Sequence, residues 1–315
     1  MSKIITVTAN TAIDYSIRVK KLVLGDNIVA ASSSEFASGK GINVAKAIET
    51  LNCPAYALGF VGRQSLNLFN DIKSELLHVD YTVVDGKTRT NITLLDASDA
   101  QETHIRTAGL SVTETDCQKL IDRIDAHAWK GDIVVLSGSL PVGSSPDLYR
   151  IIIELCHKKS AIPFLDSSGE TLIQGLKAKP YLIKPNQQEL EEVVGRTLND
   201  ERDIVAAARE IIAQGIFTVI VSLGEKGAIA VSDREALAVT AGTKHDGVVS
   251  KIGCGDAMVA GLAVAQERGY KLLDSLRLGM ACATANLFSI EPGRFEYDCA
   301  EKICHRVRHR PLPLR

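Results

Sequence analysis

The sequence predicts an α/β fold: a three-layer sandwich with helices on both faces of a mostly parallel central sheet, and a small β-sheet lid beside it. Three observations predict it. Short, β-branched apolar runs recur at 4–7, 55–60, 132–136, 162–165, 181–183 and 217–222, and helical patterns at 41–51, 114–127, 146–158 and 201–214 separate most of them. Such alternation marks parallel strands joined by helical crossovers. Of the 315 residues, 45% are hydrophobic and only 5% aromatic, an aliphatic composition suited to strands buried on both faces. Finally, segments 12–37 and 88–106 alternate apolar and polar residues with period two, as exposed antiparallel strands do.

Taken in order, the run at 4–7 opens the sheet and the first period-two segment leaves it. SGKGINVAKAI then turns into the helix at 41–51. Its GK is followed by Gly41 where a P-loop needs Ser or Thr, and Ser34 stands where a P-loop needs glycine, so it is not one. What remains sets Gly39, Lys40 and Asn43 at a helix start, either for close approach to a small sugar or phosphate or for tight packing on the sheet. VVLSGSLPVG and VIVSLGEKGAIAV carry apolar strands ending in Ser-Gly turns. Ser139 and residues 222–227 therefore fall at carboxyl ends of buried strands, where an α/β fold binds ligands. YLIKPNQQELEEVVG is a buried strand, a proline turn and a helix. Asn186 and Glu189 there either direct two oxygens at a hydrated magnesium ion or make an ordinary capped helix start.

SKIGCGDA, at 250–257, is a second glycine turn into an apolar helix. Gly253 and Gly255 leave the amides of 253–256 uncovered at a helix N-terminus, which makes an anion cradle. Asp256 inside it has two readings: a base that takes a proton from a hydroxyl attacking a phosphoryl group, or a helix cap. The pattern stays helical over 255–269, 271–289 and 295–308. No linker separates two units, so one domain is expected over 1–315, with lid strands inserted from about 12–37 and 88–106. A half-apolar sheet of that kind suits a lid and a dimer contact.

Composition narrows the partners. A net charge of −2 provides no field for nucleic acid or an anionic membrane surface. No apolar run approaches the ~20 residues that span a bilayer, and the N-terminus lacks a signal sequence, so a cytoplasmic protein is expected. The seven cysteines are scattered without a CxxC pair, as suits a reducing compartment. Cys299, Cys304, His305 and His309 fall in a basic C-terminal helical pattern that presents only the two histidines on one face, so no zinc is expected there. A GxSxG elbow is absent.

The motifs in their order, TANTAIDYSI, SGKGINVAKAI, KPNQQEL, SLGEKGA and GCGDAMVAG, resemble those of the ribokinase-like PfkB carbohydrate kinases over essentially the whole chain. The resemblance implies a ribokinase-like fold, ATP and Mg²⁺. It implies that Asp256 is the catalytic base, that the amides of Gly253, Cys254, Gly255 and Asp256 hold the transferring phosphoryl group, and that Asn186 and Glu189 organise magnesium through water. It implies nucleotide contacts at Lys184, Asn186, Ser222, Gly224 and Gly227. Asp14, Gly39 and Asn43 would hold sugar hydroxyls, and Lys40, Arg89 and Ser139 a phosphate already on the substrate. GKGINVAK, TRTNI and SGSLP look most like the members that act on hexose phosphates. Fructose 1-phosphate is the first expected acceptor, with tagatose 6-phosphate and fructose 6-phosphate as alternatives. Lys40 speaks against the last, for which glycine is expected there. A catalytically silent sugar-phosphate sensor is the rival from another class, and the retained Asp256, Asn186 and Glu189 stand against it. Ala9, Thr11, Lys251, Cys254 and Ala257 depart from the family pattern. Cys254 still offers its backbone N–H, and is either a tolerated variant or an oxidisable brake.

Overall fold

The computed structural model describes residues 2–98, 101–242 and 247–314; residues 99 and 100, inside the second period-two segment, lie outside it. The chain begins with β1 (Ile4–Thr8), β2 (Ala12–Val19), β3 (Ser32–Ser38), α1 (Lys40–Thr50), β4 (Ala55–Gly62), α2 (Leu66–Asn70) and β5 (Leu77–Val84). It continues with β6 (Arg89–Asp96), β7 (Gln101–Arg106), α3 (Glu114–His127), β8 (Ile133–Ser137), α4 (Leu148–Lys159), β9 (Ile162–Asp166), α5 (Gly169–Leu176) and β10 (Leu182–Ile183). There follow α6 (Gln187–Val194), α7 (Glu201–Ile212), β11 (Thr218–Ser222), β12 (Ala228–Val231), β13 (Ala236–Thr240), α8 (Cys254–Glu267), α9 (Leu272–Asn286), α10 (Tyr297–Cys304) and β14 (Arg308–Leu312).

Ten strands form one sheet in the order β14-β13-β12-β11-β10-β9-β8-β1-β4-β5. From β5 to β11 all pairings are parallel, and β12, β13 and β14 extend the sheet antiparallel. The apolar runs are continuous because each strand is covered on both sides. In β8, Ile133 and Val135 join the core under α1, α8 and α9, while Val134 and Leu136 join the core under α3, α4 and α7. Strand order runs outward from β1 in both directions, so the crevice opens where the carboxyl ends of β1 and β8 part.

The period-two segments form a second sheet, β3-β2-β6-β7. It departs from the expected antiparallel pattern at its centre, where β2 and β6 pair in parallel. The reason is topological: β2 leaves the end of β1 and β6 leaves the end of β5, and those two strands run in the same direction. A second correction falls at the C-terminus. The helix expected over 295–308 stops at Cys304, and His309 sits on β14 beside Val239 instead of sharing a helical face with His305. Pro311 would break a helix, whereas an edge strand accommodates its missing N–H. Among the described residues no helix is long and apolar enough to cross a membrane, and no cluster of three or more His, Cys, Asp or Glu side chains is arranged to hold a metal.

Candidate active site

Helix α8 begins at the crevice without a side-chain cap. Its N-cap residue is Gly253, at φ 81°, and a β-carbon there would lie 2.6 Å from Pro292 Cβ. Only glycine fits this left-handed, crowded position. The first amides of α8 therefore face the cleft without a side-chain acceptor. Asp256, 6% exposed on the first turn, does not cap the helix; its Oδ2 accepts from Asn43 Nδ2 at 2.8 Å. Burial raises its pKa to about 6, against the pull of Lys40 and with the push of Asp166.

Opposite stands a carboxylate the motifs had not singled out. Asp166 ends β9 at 2% exposure, with Lys184 Nζ 3.2 Å from Oδ1 and Lys40 Nζ 3.4 Å from Oδ2. Burial opposes its ionisation, but the two ammonium groups hold it below the usual carboxylate range. In return Asp166 raises the pKa of Lys40. A β-carbon on Gly255 would lie 3.5 Å from Lys184 Nζ, so that ammonium sits at the first turn of α8. The available signal for Asp166 was an aspartate at the carboxyl end of an apolar run, IPFLD.

The lid completes the wall. Asp14 on β2 accepts from Ser38 Oγ at 2.6 Å and from Asn91 Nδ2 at 2.9 Å, and Ser38 Oγ lies 3.2 Å from Asn43 Oδ1. A polar chain thus runs from the lid through Asn43 to Asp256. Arg89 donates from Nε to the Thr11 carbonyl and from Nη2 to the Asn10 carbonyl, and Asn10 donates to Ser139 Oγ. Asp14, Gly39, Lys40, Asn43, Arg89, Ser139, Lys184, Gly253, Gly255 and Asp256 line one cleft of about 1220 Å³. Behind it, the SIEPGRF segment ties α1 to α8. Lys46, 1% exposed, pairs with Glu291 at 2.6 Å, and the buried Asn286 donates to the Ile252 carbonyl while accepting from Gly293 N.

Five predicted residues lie outside that wall. Asn186 and Glu189 form a reciprocal capping box at the start of α6, each side chain accepting from the other's backbone N–H at 2.8 Å. Ser222 is bridged to Asn186, with its N–H donating to the Pro185 carbonyl, and Gly224 and Gly227 frame the turn that follows. Lys251 Nζ, 2.9 Å from Glu225, links that turn to the loop before α8. Gly227, at φ 95°, packs backbone on backbone: a β-carbon would stand 1.9 Å from the Val239 carbonyl oxygen. Gly227→Ala should cost about 2–5 kcal/mol of stability. Urea unfolding should show a lower midpoint at unchanged slope. The Cys254 side chain is also absent from the wall; it accepts from Asn286 Nδ2 at 3.7 Å, and burial pushes its thiol pKa up.

A cleft at a sheet's switch point that gathers two lysines, an uncapped helix N-terminus and a buried carboxylate has the components with which a small-molecule kinase works. Sequence comparison makes the assignment specific. The chain belongs to the pfkB family carbohydrate kinases, whose profile matches residues 2–294. It is a phosphotransferase with an alcohol group as acceptor, and ATP is its donor. It is 33% identical to the 1-phosphofructokinase of Haemophilus influenzae over 309 residues, covering 98% of each chain. To the 1-phosphofructokinase of Escherichia coli K12 it is 35% identical, covering 89% of each. The solved phosphofructokinase-2 of Escherichia coli superposes with a TM-score of 0.89 at 27% identity, covering 97% of this chain and 99% of that one, and its inhibited form is tetrameric.

Proposed function

We propose that this chain is an ATP-dependent 1-phosphofructokinase, converting fructose 1-phosphate and ATP to fructose 1,6-bisphosphate and ADP. The observation that carries the chemistry is Asp256, buried with a pKa raised to about 6 at the uncapped start of α8. In that reading Asp256 holds the acceptor hydroxyl and takes its proton. The amides of Gly253, Cys254, Gly255 and Asp256 receive the phosphoryl group as its charge shifts, and Lys184 balances the charge on the donor phosphates. Asp14, Gly39 and Asn43 orient the sugar, while Arg89, Lys40 and Ser139 meet its phosphate. Ser222, Gly224 and Gly227 shape the nucleotide shelf beside Asn186.

Magnesium fits the residues present if it is held through water. Asn186 Oδ1 and Glu189 Oε2 are committed to the capping box, and the bridge from Asn186 to Ser222 sets the pair beside the turn assigned to the nucleotide. Hard oxygens suit a hydrated Mg²⁺, which when bound would neutralise and align the ATP phosphates. A homodimer through the lid is part of the same reading, since all six residues of β7 are exposed and Ile105 is 48% exposed. The seven unpaired cysteines suit the reducing cytoplasm.

The test is ADP release with MgATP and a panel of fructose 1-phosphate, fructose 6-phosphate, tagatose 6-phosphate, fructose and ribose. Fructose 1-phosphate should have the highest kcat/KM. A tenfold preference for any other acceptor would overturn the assignment.

A further inference from the structure

The lid lays a ruler of side chains across the cleft. Register pairs Asp14 on β2 with Asn91 on β6, and Asn91 with Arg106 on β7. Residues opposite one another on adjacent strands share a face. Asp14, Asn91 and Arg106 therefore form one row, and all three line the cleft. Arg89, two residues before Asn91 on β6, is on the same face in the next row inward. Neighbouring strands are about 4.8 Å apart, so the backbone of Arg106 stands about 10 Å from that of Asp14. A six-carbon sugar phosphate with its hydroxyls on Asp14 and Asn91 spans that distance.

Arg106 and Arg89 are like charges on one face of the lid, and Asp14, the acid that acts on Arg89, already accepts from Ser38 and Asn91. Arg89 spends Nε and Nη2 on two backbone carbonyls, which fixes its guanidinium at the cleft wall. The charge of Arg106 adds to burial in holding the Arg89 pKa below its usual value. Glu102, the acid on β7, is two rows further out and lies 3.4 Å from His104. Two guanidinium groups lining the same cleft in neighbouring rows present the forked donors that suit a phosphate dianion.

We propose that Arg106 is a specificity-determining residue that, with Arg89, grips the phosphate of the acceptor sugar. The proposal rests on the hexose-phosphate kinase reading and adds a residue that the sequence motifs had not marked. Arg18 is the internal contrast. It also lines the cleft, but four residues beyond Asp14 on β2 it is about 13 Å further along the lid, beyond a bound hexose.

The experiment compares wild type, Arg106→Ala, Arg106→Lys and Arg18→Ala, with fructose 1-phosphate and fructose as acceptors. Arg106→Ala should raise KM for fructose 1-phosphate about 10- to 100-fold, with kcat and KM for ATP within about threefold of wild type. Its kcat/KM for fructose should be unchanged, since that sugar carries no phosphate to grip. Arg106→Lys should fall between wild type and alanine, and remains informative if the alanine variant does not fold. Arg18→Ala should match wild type. If wild type prefers fructose 1-phosphate and Arg106→Ala keeps its KM, or loses both acceptors equally, this inference fails alone. If wild type uses fructose as well as fructose 1-phosphate, the functional reading fails with it.

Discussion

Asp256→Asn should turn over its sugar phosphate about 10²- to 10⁴-fold more slowly than wild type, with KM for both substrates changed little. The carboxylate is the only group that loses function in this exchange. The amide oxygen of asparagine still accepts from Asn43 Nδ2, and the uncapped amides of α8 are untouched. The pH dependence supplies a second readout. With a pKa raised to about 6, Asp256 must be ionised to take a proton, so wild-type kcat should fall tenfold per pH unit below about 6. In the variant that limb should vanish. Stability should move the other way. A folded-state pKa above the unfolded one means the ionised group costs stability. That cost is absent below about pH 4, grows up to about pH 6 and is fully present above, on the order of 3 kcal/mol. The asparagine variant should therefore melt no lower than wild type at pH 8. A variant within threefold of wild-type kcat, or one that keeps the acid limb, would remove Asp256 from the role of base.

Much of this site was legible because its signals are local. Gly253 and Gly255 before an apolar helix announced an uncapped N-terminus, and the structure removes the cap reading of Asp256 by giving its oxygen to Asn43. The same local logic left Asn186 and Glu189 open, and the geometry shows a capping box, with any metal at one remove. The parallel sheet was legible in its continuous apolar runs. What stayed hidden depends on contacts distant in sequence. β14 is rich in arginine and lacks an apolar stripe, and only pairing with β13 makes it a strand. The parallel β2–β6 pairing follows from two excursions leaving one edge of the main sheet, which no local pattern encodes. Asp166 reads as an ordinary strand end until Lys40 and Lys184 arrive from 126 residues upstream and from the next strand.

That last residue carries the other large expected effect. Asp166→Asn leaves the Lys184 ammonium, 6% exposed, without its carboxylate, and breaking a buried pair on one side costs about 3–5 kcal/mol. Lys40, whose side chain is 42% exposed, can turn to solvent and adds less. The sign with pH follows from the depressed pKa of Asp166. Its stabilisation is fully present above the unfolded value near 4 and is lost as pH falls through the lower folded value. Wild type and variant should thus differ at pH 7 and converge under strong acid. Two results would tie the residue to the chemistry as well as to the fold. Phosphate oxygens can take the place of the lost carboxylate between the lysines, so MgATP should raise the melting temperature of the variant more than that of wild type. Asp166 also pushes the pKa of Asp256 up, so removing its charge should slide the acid limb of kcat below pH 6. A variant as stable as wild type at pH 7, with its acid limb unmoved, would mean that Asp166 neither anchors the two lysines nor poises the base.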